Sequence, residues 1–414
     1  MLKISHLSNS DIIGGAGIAA YRIHKALLKK EINSRLFVNN YYSGDHTVIP
    51  PKDKIHKLNS IFKPQIINPL KKLLITKNKA LHSLSILPSN WPKFLNNSDT
   101  DVVHLHWVQN EMISIRDIGN IRKPIVMNTH DMWPFCGAEH LSFNIRWKEG
   151  YSKNNRPIDE SGYDLNKYIW KLKKRYWVNP FHIVSPSRWM AKCVKNSALM
   201  NNWPCEVIPN CIDTEKWRPL NKTFSRKLLN LPQNKIILTF GTFNSNNQFH
   251  KGFDLLKKSL DNLKTKNKDI NLVIFGQSEP KYPINYGFQT HYLGQLKDSY
   301  SLKALYSASD ILLVPSRIES FCNTACEANA CGVPVVSYRV GGLIDIVDHK
   351  ETGYLASPFD IKDFTEGIIW ALNQINLDKK LNTLTRRKAI KKWDYSVISK
   401  KYENLYKKII FNKS

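Results

Sequence analysis

A strand, a loop and a helix follow one another in the stretch Ile311-Leu-Leu-Val-Pro-Ser-Arg-Ile-Glu-Ser-Phe-Cys-Asn-Thr-Ala-Cys-Glu327. Its unbroken aliphatic start is typical of a strand that is buried on both faces of a parallel sheet. A second apolar run, residues 334–338, follows the predicted helix 323–331. This strand–helix–strand order predicts a parallel α/β sheet and places Glu319 and Glu327 just beyond the carboxyl end of a strand.

The same alternation continues along all 414 residues, which are too many for one ordinary hydrophobic core. A cluster of Pro, Asn and Asp at Ile208-Pro-Asn-Cys-Ile-Asp213 predicts the link between two domains. The predicted fold class is α/β, with two doubly wound domains (residues 1–207 and 208–390) that face each other across a cleft. Residues 391–414 are expected to form a helix that packs back toward the N-terminal domain. The predicted strands are residues 2–7, 102–107, 124–129, 181–185, 205–208, 235–240, 271–275, 311–314 and 334–338.

The chain is strongly basic, with a formal net charge of +27. Such a charge implies an anionic partner, which could be a nucleic acid, a membrane surface or a phosphorylated substrate. Residues 51–80 contain eight lysines and one acid, Asp53. Within them, residues 66–79 mix aliphatic side chains with lysines, as helices at membrane surfaces do. A solvated helix with its apolar face in the core fits this pattern equally well.

The location of the protein follows from three further features of the sequence. The seven cysteines are odd in number and scattered, which indicates a reducing compartment rather than a disulfide framework. The N-terminus lacks a long apolar signal region, and no segment approaches 18 apolar residues. We therefore expect a cytoplasmic protein whose membrane contact is peripheral, on the inner face of the cytoplasmic membrane.

A glycine-rich turn, Gly14-Gly-Ala-Gly17, follows the first predicted strand and opens a helix. Glycines let the backbone approach a bulky ligand, and a helix N-terminus attracts anions. The spacing is not that of a dinucleotide fingerprint, and no acid closes the next strand, so a nicotinamide cofactor is disfavoured. A tight turn without a ligand is the alternative.

Histidines stand at the ends of two predicted strands in the N-terminal half. In Thr129-His-Asp131, the imidazole of His130 could donate a hydrogen bond to a sugar hydroxyl or orient a leaving group. A histidine satisfied within the core is the competing interpretation. His104 and His106, at the end of the preceding strand, are weaker candidates for lining the cleft.

The C-terminal half offers charges that suit an elongated anionic ligand. Lys251 opens a helix after a polar loop, where it could clamp a diphosphate, although a solvated surface lysine is common. If the chain from Glu319 to Glu327 were fully helical, the two carboxylates would be separated by a rise of roughly 12 Å. A glycosidase pair needs about 5 to 9.5 Å. The longer spacing, with the amides of the helix N-terminus between the two carboxylates, fits a nucleotide-diphosphate sugar. The alternative is a residue that caps the helix together with a solvated Glu on the helix.

Several ordered motifs together resemble a known family. Ala308-Ser-Asp-Ile-Leu-Leu-Val-Pro-Ser-Arg-Ile-Glu-Ser-Phe321, Glu327-Ala-Asn-Ala-Cys-Gly-Val-Pro-Val-Val336, Val340-Gly-Gly-Leu343 and Thr352-Gly-Tyr-Leu355 resemble the retaining GT-B glycosyltransferases of family four. The resemblance covers nearly the whole chain and implies two Rossmann-like domains. The stretch Thr129-His-Asp-Met-Trp-Pro-Phe-Cys-Gly-Ala-Glu-His140 is similar to bacterial enzymes that build O-antigens, capsules and exopolysaccharides.

The resemblance also implies roles for individual residues. Glu319 would contact the transferred sugar, Glu327 the ribose, Lys251 the diphosphate and His130 the sugar, with His130, Lys251 and Glu319 forming the catalytic set. His104, His106 and Asp131 would lie on the acceptor side. The other donor-binding residues would be Gly14, Gly15, Gly241, Thr242, Gly276, Ser320, Phe321, Cys322, Asn323 and Thr324.

Two positions depart from the family pattern. Members often have an Arg directly after the glycine that corresponds to Gly241, but this chain has Thr242. His250 and Arg317 are the candidates for the missing positive charge. Many members have Gly after Glu-Ser-Phe, where this chain has Cys322.

The resemblance implies a retaining, metal-independent hexosyltransferase that needs no cofactor. Its donor would be a UDP- or GDP-sugar, and its acceptor a glycan or polyprenyl-diphosphate-linked glycan at an anionic membrane surface. The product would enter a surface polysaccharide such as O-antigen lipopolysaccharide or capsule. Asp99-Thr-Asp101 imitates a metal-binding motif, but it directly precedes a strand and is interpreted as strand-edge polarity.

Two alternatives stay open. The first is a noncatalytic protein of the same scaffold that binds nucleic acid or membranes. Nucleic acid is not an expected partner, because the chain lacks a recognition signature and the two glutamates would repel phosphate backbones. The second alternative is a sugar-nucleotide epimerase of the same fold.

Overall fold

The computed structural model describes residues 2–51, 54–241, 249–263, 269–377 and 380–411. Thr242 and Asp53 lie outside these residues. The chain divides into two compact units, one of Met1–Cys211 with Ile398–Ser414 and the other of Ile212–Val397. This division falls within residues 208–213, where Pro, Asn and Asp cluster in the sequence. None of the described helices is both long enough and apolar enough to cross a lipid bilayer.

The first unit is built on a seven-stranded sheet in the order β3-β2-β1-β5-β6-β8-β9, in which all neighbouring strands are parallel. A small antiparallel pair, β4 with β7, lies outside this sheet. The strands are β1 (Lys3–Ser10), β2 (Asn33–Asn40), β3 (Val48–Ile49), β4 (Leu74–Ile75), β5 (Val102–Leu105), β6 (Ile125–Asn128), β7 (Ser161–Gly162), β8 (His182–Ser185) and β9 (Cys205–Val207). The helices are α1 (Gly14–Lys29), α2 (Lys54–Lys71), α3 (Trp91–Asn96), α4 (Ile115–Gly119), α5 (Arg146–Glu149), α6 (Leu165–Tyr176) and α7 (Arg188–Lys195).

The second unit contains a six-stranded parallel sheet in the order β12-β11-β10-β13-β14-β15. Its strands are β10 (Ile236–Gly241), β11 (Ile270–Phe275), β12 (Gln289–Tyr292), β13 (Ile311–Val314), β14 (Val335–Tyr338) and β15 (Gly353–Ala356). Its helices are α8 (Lys222–Leu228), α9 (Phe253–Leu263), α10 (Ser299–Ala308), α11 (Asn323–Ala330), α12 (Leu343–Ile346), α13 (Ile361–Leu377) and α14 (Lys380–Trp393).

The aliphatic runs became central strands because both faces of each sheet are covered. Every residue of β5, β6, β13 and β14 is buried. In the second unit, alternate strand residues belong to two separate apolar clusters: Leu312 and Val335 to one, Ile311 and Val336 to the other. Helices on each face of a parallel sheet produce this division, as expected for a doubly wound fold.

The last helix, α15 (Tyr395–Phe411), contributes aromatic side chains to the first unit. The hydroxyl of Tyr406 forms a 2.7 Å hydrogen bond with Nδ1 of His104. The amide nitrogen of Asn128 donates to the hydroxyl of Tyr402 at 2.9 Å. Both tyrosines are fully buried, so the helical spacing of aromatic residues near the C-terminus corresponds to a face packed on β5 and β6.

The lysine-rich stretch differs from its predicted form. Helix α2 ends at Lys71, so only the first part of residues 66–79 is helical. Strand β4 follows instead, since Leu74 and Ile75 pair with Gly162 and Ser161. Most apolar side chains of the helix are exposed, and Ile67 is a buried exception.

Candidate functional site

Three adjacent strands of the second unit end at the same edge of the sheet. β10 ends at Gly241, β11 is followed by Gly276, and β13 is followed by the loop 315–322. Because β11, β10 and β13 are neighbours and parallel, these segments lie side by side at their carboxyl ends. A Cβ atom on Gly241 would lie 2.5 Å from the ring of Phe275, so a larger residue there would require the ring to move.

Lys251 and Glu319, both predicted to be catalytic, are in direct contact. Nζ of Lys251 donates to Oε1 of Glu319 at 2.5 Å, and the hydroxyl of Ser316 donates to the same oxygen at 3.0 Å. Burial alone would lower the pKa of Lys251, but the Glu319 carboxylate outweighs burial and raises that pKa. The lysine is therefore a cation at neutral pH, with a third of its side chain exposed.

Backbone contacts hold Lys251 against the loop after β13. Lys251 ends a short 3-10 helix, Phe249–Lys251, and the next residue, Gly252, has a φ of +69°. A Cβ on Gly252 would lie 2.0 Å from the carbonyl oxygen of Pro315. The amide of Arg317 also donates to the carbonyl of His250 at 2.7 Å. The lysine position is thus set by main-chain geometry.

Arg317 does not leave a free positive charge at the site. Its guanidinium makes two hydrogen bonds to the carboxylate of Asp254, at 2.8 and 2.6 Å. It also stacks 4.0 Å from the ring centre of Phe249. His250 is partly buried, and burial followed by the Lys251 charge lowers its pKa. Of the three basic side chains Lys251, His250 and Arg317, Lys251 is therefore the cation best placed to meet an anionic ligand.

The loop between Glu319 and helix α11 turns sharply at Cys322. Cys322 has a φ of +82°, a conformation that glycine adopts at lower cost than cysteine. This explains why a glycine would suit the position. Burial raises the pKa of the Cys322 thiol to about 12, so it is not a thiolate. Its sulfur lies 3.2 Å from the hydroxyl of Thr324, in the first turn of α11.

The helix N-terminus offers main-chain donors rather than large side chains. Ser320, Asn323 and Thr324 are partly exposed there. Phe321 instead turns inward, with its ring 6.2 Å from that of Trp393 in an edge-to-face arrangement. Only the backbone of Phe321 could therefore approach an anion.

Glu327 lies on α11, with its side chain buried. Its Oε2 accepts a 3.1 Å hydrogen bond from the hydroxyl of Tyr306. Helix α11 begins at Asn323, where the sequence predicts the start of the helix 323–331. Glu319 is in the preceding loop, so the separation expected for a continuous helix does not apply.

Gly341 and Gly342, for which the sequence analysis proposed no role, support the backbone of Glu319. The amide of Gly342 donates to the Glu319 carbonyl at 2.7 Å. A Cβ on Gly341 would lie 2.1 Å from that same carbonyl oxygen. The Gly-Gly pair after β14 was visible in the sequence, but its contact with the loop of Glu319 can be recognised only from the tertiary structure.

In the first unit, Gly14 and Gly15 begin α1 just beyond β1. A Cβ on Gly14 would have no heavy atom within 4 Å, so space is open beside it. The buried carboxylate of Asp11 accepts from the amides of Ile12, Tyr42 and Ser43, at 2.8 to 3.1 Å. It thereby ties the loops after β1 and β2 together.

His130 is partly exposed beyond the end of β6, whereas the other predicted histidines are interior. His104 and His106 are almost fully buried, so they lie beneath the surface rather than lining it. Nε2 of His104 bonds to the side chain of Asn128 at 2.8 Å. Nδ1 of His106 bonds to Nε2 of His130 at 3.1 Å.

Asp131 is held by three donors. Its carboxylate bonds to Nδ1 of His140 at 2.6 Å, the indole of Trp107 at 3.0 Å and the amide of Trp133 at 3.0 Å. Burial alone would raise the pKa of Asp131, but the contact with His140 outweighs it and lowers the pKa. Asp131 thus remains ionised and orients the segment that follows His130.

Lys173 supports the same segment from α6. It is fully buried, and its Nζ donates to the carbonyls of Trp133, Cys136 (3.0 Å) and Gly137 (2.8 Å). Burial lowers the pKa of Lys173 to about 7. This role could not be predicted from the sequence, because a lysine in a basic helix normally faces water.

Two of the three candidate metal ligands, His104 and His106, use both ring nitrogens in hydrogen bonds. The ring nitrogens of His6, His104 and His106 lie within 4.8 Å of one another. Both nitrogens of His104 and both of His106 form side-chain hydrogen bonds, so a metal ion would have to break them. In the Asp99-Thr-Asp101 triplet, Asp99 contacts Lys3 and Arg35, and Asp101 accepts from the Lys3 amide at 2.8 Å.

Two family profiles match the chain and between them cover most of it. The profile described as Glycosyltransferase Family 4 matches residues 13–216. The profile described as Glycosyl transferases group 1 matches residues 221–388, which include the Lys251–Glu319 pair and α11.

Curated relatives are similar over part of their length. The D-inositol 3-phosphate glycosyltransferase of Saccharomonospora viridis is 29% identical over 173 residues, 38% of this chain and 39% of that protein. The N,N'-diacetylbacillosaminyl-diphospho-undecaprenol alpha-1,3-N-acetylgalactosaminyltransferase of Campylobacter jejuni is 26% identical over 255 residues, 59% of this chain and 64% of that protein. The chain thus matches less than two thirds of the length of either relative.

Among solved structures, the sucrose-phosphate synthase from Thermosynechococcus elongatus is similar over 100% of both chains. The TM-score is 0.66 and the sequence identity 17%. At this identity the likeness concerns the fold.

Proposed function

Because this chain belongs to the GT-B glycosyltransferases of family 4, we propose that it transfers a sugar from a nucleotide-diphosphate sugar to a glycan acceptor. The observation that carries the proposal is the contact between Lys251 and Glu319 at the carboxyl edge of the second sheet. A cation and a carboxylate stand there beside glycines and a helix N-terminus. This is where an open α/β sheet binds its ligand.

The Lys251–Glu319 contact supports separate roles for the two residues when the donor binds, with Lys251 at the diphosphate and Glu319 at the sugar. The diphosphate would attract Lys251 and the amides at the start of α11, where the helix dipole adds positive potential. Glu319, released from part of its contact with the lysine, would accept hydrogen bonds from sugar hydroxyls. Lys251 and the amides at the start of α11 would then stabilise the negative charge that develops on the leaving diphosphate.

We propose retention of anomeric configuration by a front-face displacement. The leaving diphosphate would help to deprotonate the acceptor hydroxyl, so that no carboxylate nucleophile is needed. His130 is proposed to donate a hydrogen bond to a sugar hydroxyl. No metal is required in this scheme, because Lys251 and helix amides supply the positive charge.

The donor is proposed to be a UDP- or GDP-sugar and the acceptor a polyprenyl-diphosphate-linked glycan. Support for the acceptor class comes from the Campylobacter relative, whose name specifies a diphospho-undecaprenol acceptor. The inositol-phosphate relative shows that other acceptors occur among similar proteins. A role in surface polysaccharide synthesis, such as O-antigen or capsule, follows from the proposed acceptor.

Donor binding and transfer form the first test. Thermal-shift measurements with UDP-, GDP-, ADP- and TDP-sugars should show stabilisation by one nucleotide class. Glu327→Gln should weaken that binding by about 10- to 100-fold, since hydrogen bonds to a charged group contribute about 1.5–3 kcal/mol. Glu351→Gln, at an exposed acid of the same unit, is the matched control.

The transfer assay uses the stabilising donor and a polyprenyl-diphosphate-linked sugar, in EDTA and with Mn²⁺. We expect the same turnover in EDTA and with Mn²⁺. A loss of turnover in EDTA that Mn²⁺ restores would contradict the metal-free scheme. An isomerised donor without transfer would indicate an epimerase, and salt-sensitive RNA binding without donor binding would indicate a noncatalytic protein.

We also propose that the first unit contacts an anionic membrane through residues 57–79, termed here the basic apolar segment. Its exposed lysines would approach lipid phosphates while its apolar side chains enter the interface. The exposed apolar residues are Leu58, Ile61, Phe62, Ile66, Leu70, Leu73 and Ile75, and the exposed lysines include Lys57, Lys72, Lys77 and Lys79. This arrangement supports a peripheral position at the inner membrane face.

Vesicle binding tests the membrane contact. Phe62→Glu should lower affinity for phosphatidylglycerol vesicles at least tenfold, because inserting an aromatic side chain contributes about 1.5–3 kcal/mol. Phe224→Glu changes a similarly exposed phenylalanine of the second unit and should leave binding unchanged. Equal losses of vesicle affinity in the two variants would refute a role for the basic apolar segment.

A further inference from the structure

Three histidines from adjacent strands form a continuous hydrogen-bonded row in the first unit. Nδ1 of His6, on β1, lies 2.9 Å from Nε2 of His106, just beyond β5. Nδ1 of His106 lies 3.1 Å from Nε2 of His130, just beyond β6. The rings are stacked, with centres 5.2 and 5.4 Å apart. The row runs from the interior to the partly exposed His130.

The protonation of one ring determines that of the next. Burial is the main cause that lowers the pKa of His6, His106 and His130, so all three rings are neutral near pH 7. A neutral imidazole has one donor and one acceptor nitrogen. The row can therefore exist in only two ordered states: every ring carries its proton on Nδ1, or every ring carries it on Nε2.

The inner end of the row distinguishes the two states. Nε2 of His6 is buried and has no hydrogen-bond partner. If the protons were on Nε2, the buried N–H of His6 would have no hydrogen-bond acceptor. With the protons on Nδ1, only the lone pair on Nε2 of His6 has no donor. Buried donors without partners are rarer than under-used acceptors, so the Nδ1–H state is favoured.

The neighbouring histidine does not disturb this row. His104 bonds through Nδ1 to the hydroxyl of Tyr406 and through Nε2 to Oδ1 of Asn128. Because the amide nitrogen of Asn128 donates to Tyr402, its oxygen faces His104 as an acceptor. His104 thus donates from Nε2 and accepts at Nδ1. Both of its nitrogens are used outside the row.

We propose that His6 and His106 are positioning residues that fix His130 as the Nδ1–H tautomer, so that Nδ1 can serve as a hydrogen-bond donor to a sugar ligand. This inference deepens the proposed function and rests on it for the identity of the ligand. His106 supplies the donor that occupies Nε2 of His130. His6 supplies the donor that keeps His106 in the required state.

The tautomer can be measured without an activity assay. In full-length protein labelled with ¹⁵N-histidine, long-range ¹H–¹⁵N spectra at pH 7.5 identify the protonated nitrogen of each ring. The His130 signals are assigned by their loss in His130→Gln. We expect protonated Nδ1 on His130 in the wild type. Protonated Nε2, or a mixture of tautomers, would overturn the proposal whether or not sugar transfer is observed.

Two substitutions at His106 separate positioning from packing. Leu removes the donor to His130, while Asn can keep an N–H donor near the former Nδ1 position. His106→Leu should mix the tautomers of His130 and lower kcat by about 10- to 100-fold, with the KM for the donor little changed. His106→Asn should recover most of both losses. Equal defects in both variants, with His130 unchanged in its spectrum, would show that His106 acts only in packing.

A control and a fallback complete the experiment. His182→Leu alters another histidine of the same sheet, on β8, and should affect neither the His130 spectrum nor kcat. If His106→Leu fails to fold, the wild-type spectrum alone decides the tautomer. If the wild type shows the Nδ1–H tautomer but transfers no sugar, the proposed function fails while the histidine row stands.

Discussion

Replacing Glu319 by alanine is expected to lower kcat for sugar transfer by about a thousandfold. Removing one preorganised polar group from a transition-state site typically costs 10²- to 10³-fold, and Glu319 also sets the position of Lys251. The fold should survive, because the carboxylate lies in a loop and contacts only the side chains of Lys251 and Ser316 among the bonds described above. Steady-state kinetics and thermal unfolding of the variant provide the measurement.

The partner variant and a control sharpen this test. Lys251→Ala should cause a similar loss, and the double variant should lose little more than either single one, because the two residues act as a unit. Glu351→Ala, at an exposed acid of the same unit, should retain full activity. Turnover close to wild type in Glu319→Ala would remove the central support for the proposed function.

Strands with unbroken aliphatic runs could be predicted from the sequence, since burial on both faces leaves a local pattern. The prediction for 311–314 matches β13 at both ends. Strand β12 was missed, because the polar sequence Gln-Thr-His-Tyr lies at the edge of the sheet. Strand β15 was missed because a Gly-Tyr-Leu-Ala segment carries no clear period. Edge position and short length explain both failures.

Candidate site residues could be proposed where a motif stands directly after a strand. Lys251 and Glu319 were proposed in this way, and the structure places them in contact. His6 was not, although its side chain begins the histidine row, because a histidine within a strand resembles any core residue. Gly341 was also missed as a support. Its function depends on which loop lies against it, and that information is in the tertiary structure.

Gly341→Ala is expected to damage both stability and activity. Gly341 has a φ of +53°, and a Cβ atom would lie 2.1 Å from the carbonyl oxygen of Glu319. An alanine in this conformation costs about 1–2 kcal/mol, and forced displacement of neighbouring atoms adds roughly 1–3 kcal/mol. Because the displaced atoms are the backbone of Glu319, kcat should also fall by about 100-fold. Urea unfolding and transfer kinetics measure the two effects.

Gly294→Ala provides the matched comparison in the same unit. Gly294 has a similar φ of +64°, but the nearest atom to its added Cβ, in Ser278, is 3.7 Å away. This variant should therefore show only the conformational cost of about 1–2 kcal/mol and keep its kcat. The difference between the two variants isolates the close contact with Glu319. If Gly341→Ala were no more harmful than Gly294→Ala, the glycine pair would not be what holds the loop of Glu319 in place.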